Sequence, residues 1–228
     1  MPGSDAKASV KGGRSQATSA KILSKPATDG PKASGRGANR AQQIIKTAEV
    51  MFHERGYAET SMDDIARAVG ILKGSLYYYI NSKDDLLFHI ASAVHEVVDE
   101  KTAEAVGRTD LSPLHRVLHF VRSQIEYNTQ NVTQMAVYHH EWRRLEGERL
   151  KEIRARRRAH GAAMTGLLEQ AKAAAEIDPD MNLELALNNI FAITIWPYTW
   201  YREGGSITPE ELSEFCANLV YNGLVLRK

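Results

Sequence analysis

Lys73-Gly74-Ser75-Leu76-Tyr77-Tyr78-Tyr79 is the stretch of this chain with the most evident chemistry. As a short helix from about Lys73 to Ile80 it sets Leu76 and Ile80 four residues apart as an inward anchor. Lys73, Ser75, Tyr78 and Tyr79 are then left more outward. Lysine ammonium groups and tyrosine hydroxyls suit phosphate oxygens, while Ser75 and the bare Gly74 backbone can approach base edges. Two other readings stay open: a purely structural three-helix cluster, and a tyrosine surface that docks a protein partner.

No catalytic constellation accompanies this helix. GxSxG, HExxH, Walker A and GxGxxG patterns are all missing, so the expectation is a protein that is not an enzyme and carries no cofactor. His115 and His119 have the i, i+4 spacing of a metal pair, and His139, His140 and Glu141 follow on a neighbouring helix. No cysteine or second pair of that type completes the set, and the expected metal content is none. From Trp142 to Arg158 the chain holds eight Lys/Arg and three Glu. The default is a solvated face laced by pairs such as Glu152–Arg156. Alternatively Arg154, Arg157 or Arg158 holds the phosphates of an anionic effector. Ile190 to Trp200 is apolar nearly all round, which requires burial on most sides. Pro197 cannot donate to the Ile193 carbonyl and should kink the helix. Trp196 and Trp200, four residues apart beside that kink, suit the wall of a ligand pocket. An enzyme using that apolar pocket is a rival reading from another functional class.

The elements that would position these groups are helical throughout. Ile44, Ala48, Met51 and Phe52 mark one face of a first helix that begins near Ala41 and ends at Arg55-Gly56. Ser61 caps a second helix with Asp63 and Asp64 in its first turn, and Gly70 closes it. Ser82 caps a fourth. Beyond Lys83 no period-2 alternation appears, and helices are expected near 83–107, 112–128, 131–142, 147–175, 182–200 and 208–226. The fold class is all-α with about nine helices: a helix-turn-helix domain over 40–83, then a ligand-binding and dimerisation domain over 84–228. Leu183, Leu187 and Ile190 with Phe215, Leu219, Leu226 and Tyr221 give the last two helices apolar faces. Doubled by a two-fold axis, these faces would form a four-helix homodimer interface.

Charge is distributed unevenly. The net charge of +1 conceals +5 over residues 1–39, +1 over 40–83 and −5 over 84–228. A basic end on an acidic body points to a polyanion at one end only. Residues 1–39, rich in Gly, Ser, Ala, Pro and Lys, read as a disordered basic tail able to add phosphate contacts. They contain no signal-peptide apolar core. The longest apolar-rich stretch, Phe191–Tyr201, contains a proline and is too short to cross a bilayer. Cys216 is the only cysteine, which excludes an intrachain disulfide and fits a reduced, cytoplasmic setting.

Residues 40–88 carry Gly56-Tyr57, Thr60-Ser61, Asp64-Ile65-Ala66, Val69-Gly70, Lys73-Gly74-Ser75-Leu76-Tyr77 and Ser82-Lys83. In order, spacing and polarity this set closely resembles the TetR family of bacterial transcriptional regulators. The resemblance implies a homodimer that places two recognition helices in successive major grooves of a near-palindromic double-stranded DNA operator. It further implies a repressor released when a small molecule binds the body. Thr60 and Ser61 match positions that touch backbone phosphate. Lys73, Gly74 and Ser75 match base-contacting positions, Tyr77, Tyr78 and Tyr79 a backbone-contacting stretch, and Lys83 a phosphate-binding lysine. Leu72 replaces a common polar cap, Tyr79 a frequent His and Ile80 a usual aromatic, leaving the operator sequence open. Trp200-Tyr201-Arg202, the Gly204-Gly205 turn and Thr208-Pro209-Glu210-Glu211-Leu212 resemble the acyl-CoA-responsive branch that controls fatty-acid and steroid catabolism. That similarity implies an apolar cavity with Trp200 and Arg202 beside it. An effector of another class, such as a hydrophobic drug or metabolite, is the alternative.

Overall fold

A computed structural model describes residues 35–225, with side chains from Gly37 onward. The expected basic tail lies outside the described residues except for its last five, and these are helical. Helix α1 (Gly35–Arg55) therefore starts well before Ala41. The apolar periodicity marks where the helix meets its core, whereas the backbone ladder continues through the small and basic residues ahead of it.

Local signals explain the next elements. At Gly56 the chain turns with φ +89°, a left-handed conformation costly for side-chain-bearing residues. Ser61 then caps α2 (Met62–Val69) reciprocally: Asp64 N–H donates to Ser61 Oγ at 3.1 Å and Ser61 N–H to the Asp64 carboxylate at 3.1 Å. Gly70, at φ +75°, ends α2, and Ile71 N–H returns to the Ala66 carbonyl at 3.0 Å. Helix α3 (Lys73–Tyr79) starts at Leu72 without a side-chain cap, as the missing polar residue led one to expect. Helix α4 (Lys83–Gly107) is capped by Ser82, whose Oγ accepts from Asp85 N–H at 3.0 Å.

The body adds α5 (Pro113–Gln130), α6 (Val132–Glu141), a 3₁₀ turn over Trp142–Arg144, α7 (Gly147–Ala173), α8 (Leu183–Ile195) and α9 (Pro209–Leu224). The single kinked helix expected over 182–200 is instead α8 followed by a 3₁₀ turn, Trp196–Thr199. Pro197 offers no N–H to continue the ladder, so the α-helix stops rather than bends. Thr208 and Glu211 form a second capping box, with Pro209 at the first helical position.

Two apolar cores hold these helices. One joins Ile44 and Phe52 of α1, Ile65 of α2 and Leu76 of α3 to Leu86 and Ile90 of α4, and continues into Met135 and Tyr138 of α6 and Ile153 of α7. The expected division at residue 83 is thus no boundary in packing, because α4 belongs to both parts. The second core lies among α5, α7, α8 and α9, around Phe120, Leu168, Ile190 and Val220. Arg149 of α7 bridges Asp84 and Asp85 in the first turn of α4, further fixing the head to the body.

Candidate nucleic-acid interface and effector cavity

Helix α3 is held by Leu76, fully buried, and by Ile80 just beyond its end. Lys73, Gly74, Ser75, Tyr77 and Tyr78 are exposed along its outer side. Gly74 faces open space: a methyl group there would meet nothing within 4 Å. Lys73 donates to Asp63 at 2.8 Å, and that hydrogen bond, aided by the Asp63 charge, holds its pKa above the usual lysine value. The three tyrosines divide. Tyr77 and Tyr78 point outward, whereas Tyr79 is half-buried against the first core and meets Tyr78 edge-on at 5.2 Å.

An interior cavity of about 80 Å³ lies where α4, α5, α6, α7 and α8 converge. Its wall is largely apolar, with Val94, Phe120, Met135 and Phe191, but it also receives His95, Gln124, Tyr138, His139, Arg157 and His160. Arg157 donates to Tyr138 Oη at 3.0 Å, and Tyr138 Oη lies 2.7 Å from His95 Nε2. With Arg157 already donating to Tyr138 Oη, the Tyr138 proton finds its acceptor at Nε2, which puts the His95 proton on Nδ1, where no protein partner meets it. Thr102 Oγ1 donates to the Val98 carbonyl at 2.7 Å, so His160 Nδ1 donates to Thr102 at 2.8 Å. Burial, reinforced by the Arg157 charge, pulls the pKa of His95 and His139 down to about 3 and that of His160 to about 4. All three imidazoles are neutral at pH 7.

A separate, open groove of about 870 Å³ runs along the outside of α8 and α9, flanked by Trp196, Trp200, Ile207, Phe215 and Leu219. Trp196 and Phe215 are each 62% exposed. On α8 Leu185, Asn188, Asn189 and Ala192 share the exposed side; on α9 Glu211, Phe215, Asn218 and Leu219 do.

Residues 44–90 match the family described as bacterial regulatory proteins, tetR family, and residues 110–224 the tetracyclin repressor-like C-terminal domain. The chain belongs to the TetR family. The transcriptional repressor KstR2 of Mycobacterium tuberculosis is 26% identical over 194 residues, covering 85% of this chain and 96% of KstR2. The solved structure of the ketosteroid transcriptional regulator KstR2 superposes with a TM-score of 0.78 at 25% identity, over 86% of this chain and 98% of the other. AibR, solved in complex with isovaleryl coenzyme A and operator DNA, gives a TM-score of 0.72 at 26% identity, over 80% of this chain and 98% of AibR. These relatives are regulators of transcription, and among the described residues no helix is long and apolar enough to cross a membrane.

Several site residues carried over from the TetR pattern sit elsewhere than expected. Thr60 is fully buried: its hydroxyl donates to the Gly56 carbonyl at 2.9 Å, so its side chain supports the turn and cannot reach a phosphate. Ser61 is exposed, though its hydroxyl is already committed to Asp64. Lys83 donates to the carbonyls of Tyr57 at 2.8 Å and Ala58 at 3.2 Å, with Nζ 4.4 Å from the Tyr57 ring centroid. It fastens the α1–α2 link to α4. Lys83→Met is therefore expected to lower the melting temperature by several degrees as well as DNA affinity. A thermal melt beside a gel shift checks this, and an unchanged melting temperature would contradict the fastening role.

The candidate effector residues do not gather at one site. Trp196 and Trp200 flank the outer groove, not the cavity, because the 3₁₀ turn at Pro197 rotates them outward. Arg154, Arg158 and Arg202 are exposed and do not line the cavity, whereas Arg157 does. Among the dimer-face residues Ile190 is buried in the second core, and Leu183 and Leu187 pack half-buried against it. Phe215 and Leu219 are exposed, and Leu185, unnoticed in the sequence, joins them. Leu226 lies outside the described residues. His115 pairs with Ser112 and His119 with Glu104, and no group of three or more potential metal ligands exists among the described residues. Sequence reasoning missed His95, Gln124, Tyr138 and His160, and noted His139 only as a metal candidate rather than as part of this lining. The missed residues lie singly in ordinary helices, with no local pattern that marks them as cavity-lining.

Proposed function

We propose that this TetR-family protein is a homodimeric repressor that grips a near-palindromic operator through two copies of α3 and lets go when a small-molecule effector, an acyl-CoA thioester, occupies the interior cavity. The observation that carries the reading is the position of that cavity on the path between head and body. Its His95–Tyr138–Arg157 chain ties α4, α6 and α7 together, and α4 is built into the core of the DNA-binding head. A ligand that displaces α4 or α6 changes the spacing of the two α3 helices. To empty the operator it must favour the displaced state by about 5.5 kcal/mol for a 1:99 to 99:1 shift.

The dimer is supported by the apolar groove on α8 and α9 and by the reach of α3, which alone covers too few base pairs for useful specificity. The thioester is supported by the coenzyme A complex of AibR and by basic α7 beside the cavity. Arg157 of α7 and Arg143 of the preceding 3₁₀ turn hold their guanidinium groups 4.7 and 4.8 Å from the Trp142 ring centroid. Arg154 and Arg158, exposed on the same helix, are available to a phosphate-bearing tail that leaves the cavity.

Sequencing DNA fragments selected by the full-length protein, with and without a panel of short- and long-chain acyl-CoAs, tests the whole reading. Half-sites about 34–36 Å apart are expected, with recovery collapsing when the effector is added. Ser75→Ala should reorder preferences among selected sites by about 1–3 kcal/mol rather than weaken all of them equally. Fragments lacking any paired half-site would overturn the proposal, and recovery unaffected by every thioester would overturn its effector.

A further inference from the structure

Among the described residues four buried side-chain polar atoms lack a hydrogen-bond partner. Three of them, His95 Nδ1, Gln124 Oε1 and His139 Nε2, belong to residues lining the interior cavity. His95 and Gln124 are each more than nine-tenths buried. The orientation of Gln124 is set by its neighbours. Asn128 Nδ2 donates to the Thr194 carbonyl at 2.7 Å, so Asn128 Oδ1 is the acceptor for Gln124 Nε2 at 2.7 Å. Reversing the pair would bring two oxygens together at Thr194. Gln124 Oε1 is thus left over as an acceptor. The Tyr138 hydroxyl uses His95 Nε2, which leaves the His95 Nδ1–H as a donor. Thr102 uses His160 Nδ1, which leaves His160 Nε2 as an acceptor.

We infer that the effector's buried end carries a hydroxyl group, accepted and donated to by these leftover groups, and is not a plain hydrocarbon chain. This rests on the cavity being the effector site, as proposed above. A pure alkyl end would seal a donor and several acceptors away from any partner, which is the costly outcome for a buried polar group. A carbonyl oxygen could take the His95 proton but would leave Gln124 Oε1 facing nothing. A carboxylate would turn its charge towards that same oxygen and towards neutral imidazoles, with Arg157 as the single cationic side chain of the lining. A hydroxyl both accepts and donates, and matches both kinds of group.

Thermal-shift titration of the full-length protein tests this with two matched pairs and a control. The pairs are 3-hydroxybutyryl-CoA against butyryl-CoA and, free of coenzyme A, cyclopentanol against cyclopentane; the control is succinyl-CoA. The hydroxylated member is expected to bind at least about tenfold tighter in each pair that binds, a difference of roughly 1.4 kcal/mol. Gln124→Met should reduce that preference to within about twofold. If that variant does not fold, the comparison on the unmodified protein decides alone. If cyclopentanol outperforms cyclopentane while no thioester binds, the acyl-CoA reading fails and the hydroxyl inference stands. The inference is overturned if the hydrocarbon member equals its partner, if succinyl-CoA binds tightest, if neither pair binds, or if Gln124→Met retains the full preference.

Discussion

Phe215→Asp is expected to leave the protein monomeric at micromolar concentration and to weaken operator binding by at least about a hundredfold. Phe215 is largely exposed in the single chain, so a carboxylate there does little to the fold itself. Placed at the centre of an apolar groove between two copies, the same carboxylate would be desolvated without a partner. Loss of the dimer separates the two α3 helices, and binding to the second half-site ceases to be intramolecular, removing a gain of 10²–10⁴. Sedimentation velocity and a gel shift on the same preparation check both halves of the expectation. A Phe215→Asp protein that sediments as a dimer with undiminished DNA affinity would refute the proposed interface.

Acidification is the second large effect. The folded protein holds His95 and His139 with pKa values of about 3 and His160 at about 4, all below the ordinary 6.5. Unfolded chains bind these protons from pH 6.5 downward while the native protein refuses them. The stability contributed by the neutral pocket is complete above pH 6.5 and is lost as pH falls towards 4. Each histidine contributes a slope of about 1.4 kcal/mol per pH unit, so the three together remove roughly 4 kcal/mol per unit. Against a total stability of about 5–15 kcal/mol, the protein should unfold cooperatively between about pH 5 and 4. Circular dichroism melts from pH 7.5 to 4 measure this. His160→Phe, whose ring would lie between Phe120 and Phe191 as the imidazole does, should shift the midpoint to lower pH. A melting temperature independent of pH across that range would show that the histidines are not held neutral.

The DNA-reading head was legible in the sequence because its determinants are local. Ser61 with Asp64, Gly56, Gly70 and Ser82 act within three or four residues of themselves, and so does the Leu76–Ile80 anchor. The role of Thr60 was not legible. A threonine beside a capping serine looks exposed until α1 packs over it, with the Met51 carbonyl 3.3 Å from its hydroxyl. Lys83 misled in the same way, since its acceptors, the Tyr57 and Ala58 carbonyls, come from a link that packs against α4 only in the folded head.

The amino-acid order on its own specified nine helices, the tight turn before α3 and the outward chemistry of Lys73, Ser75 and Tyr78, since caps, glycine turns and helical periodicity are short-range. It also announced an aromatic segment around Trp196 and Trp200. Periodicity cannot say which side of an all-apolar helix meets the core, and it took the end of α8 ahead of Pro197 and the packing of α9 to turn those rings outward. The cavity came only from folding. His95 meets Tyr138 across 43 residues, Tyr138 meets Arg157 across 19, and Asn128 meets Thr194 across 66. Contacts at such separations arise from how helices pack, and nothing in the neighbourhood of any one residue records them.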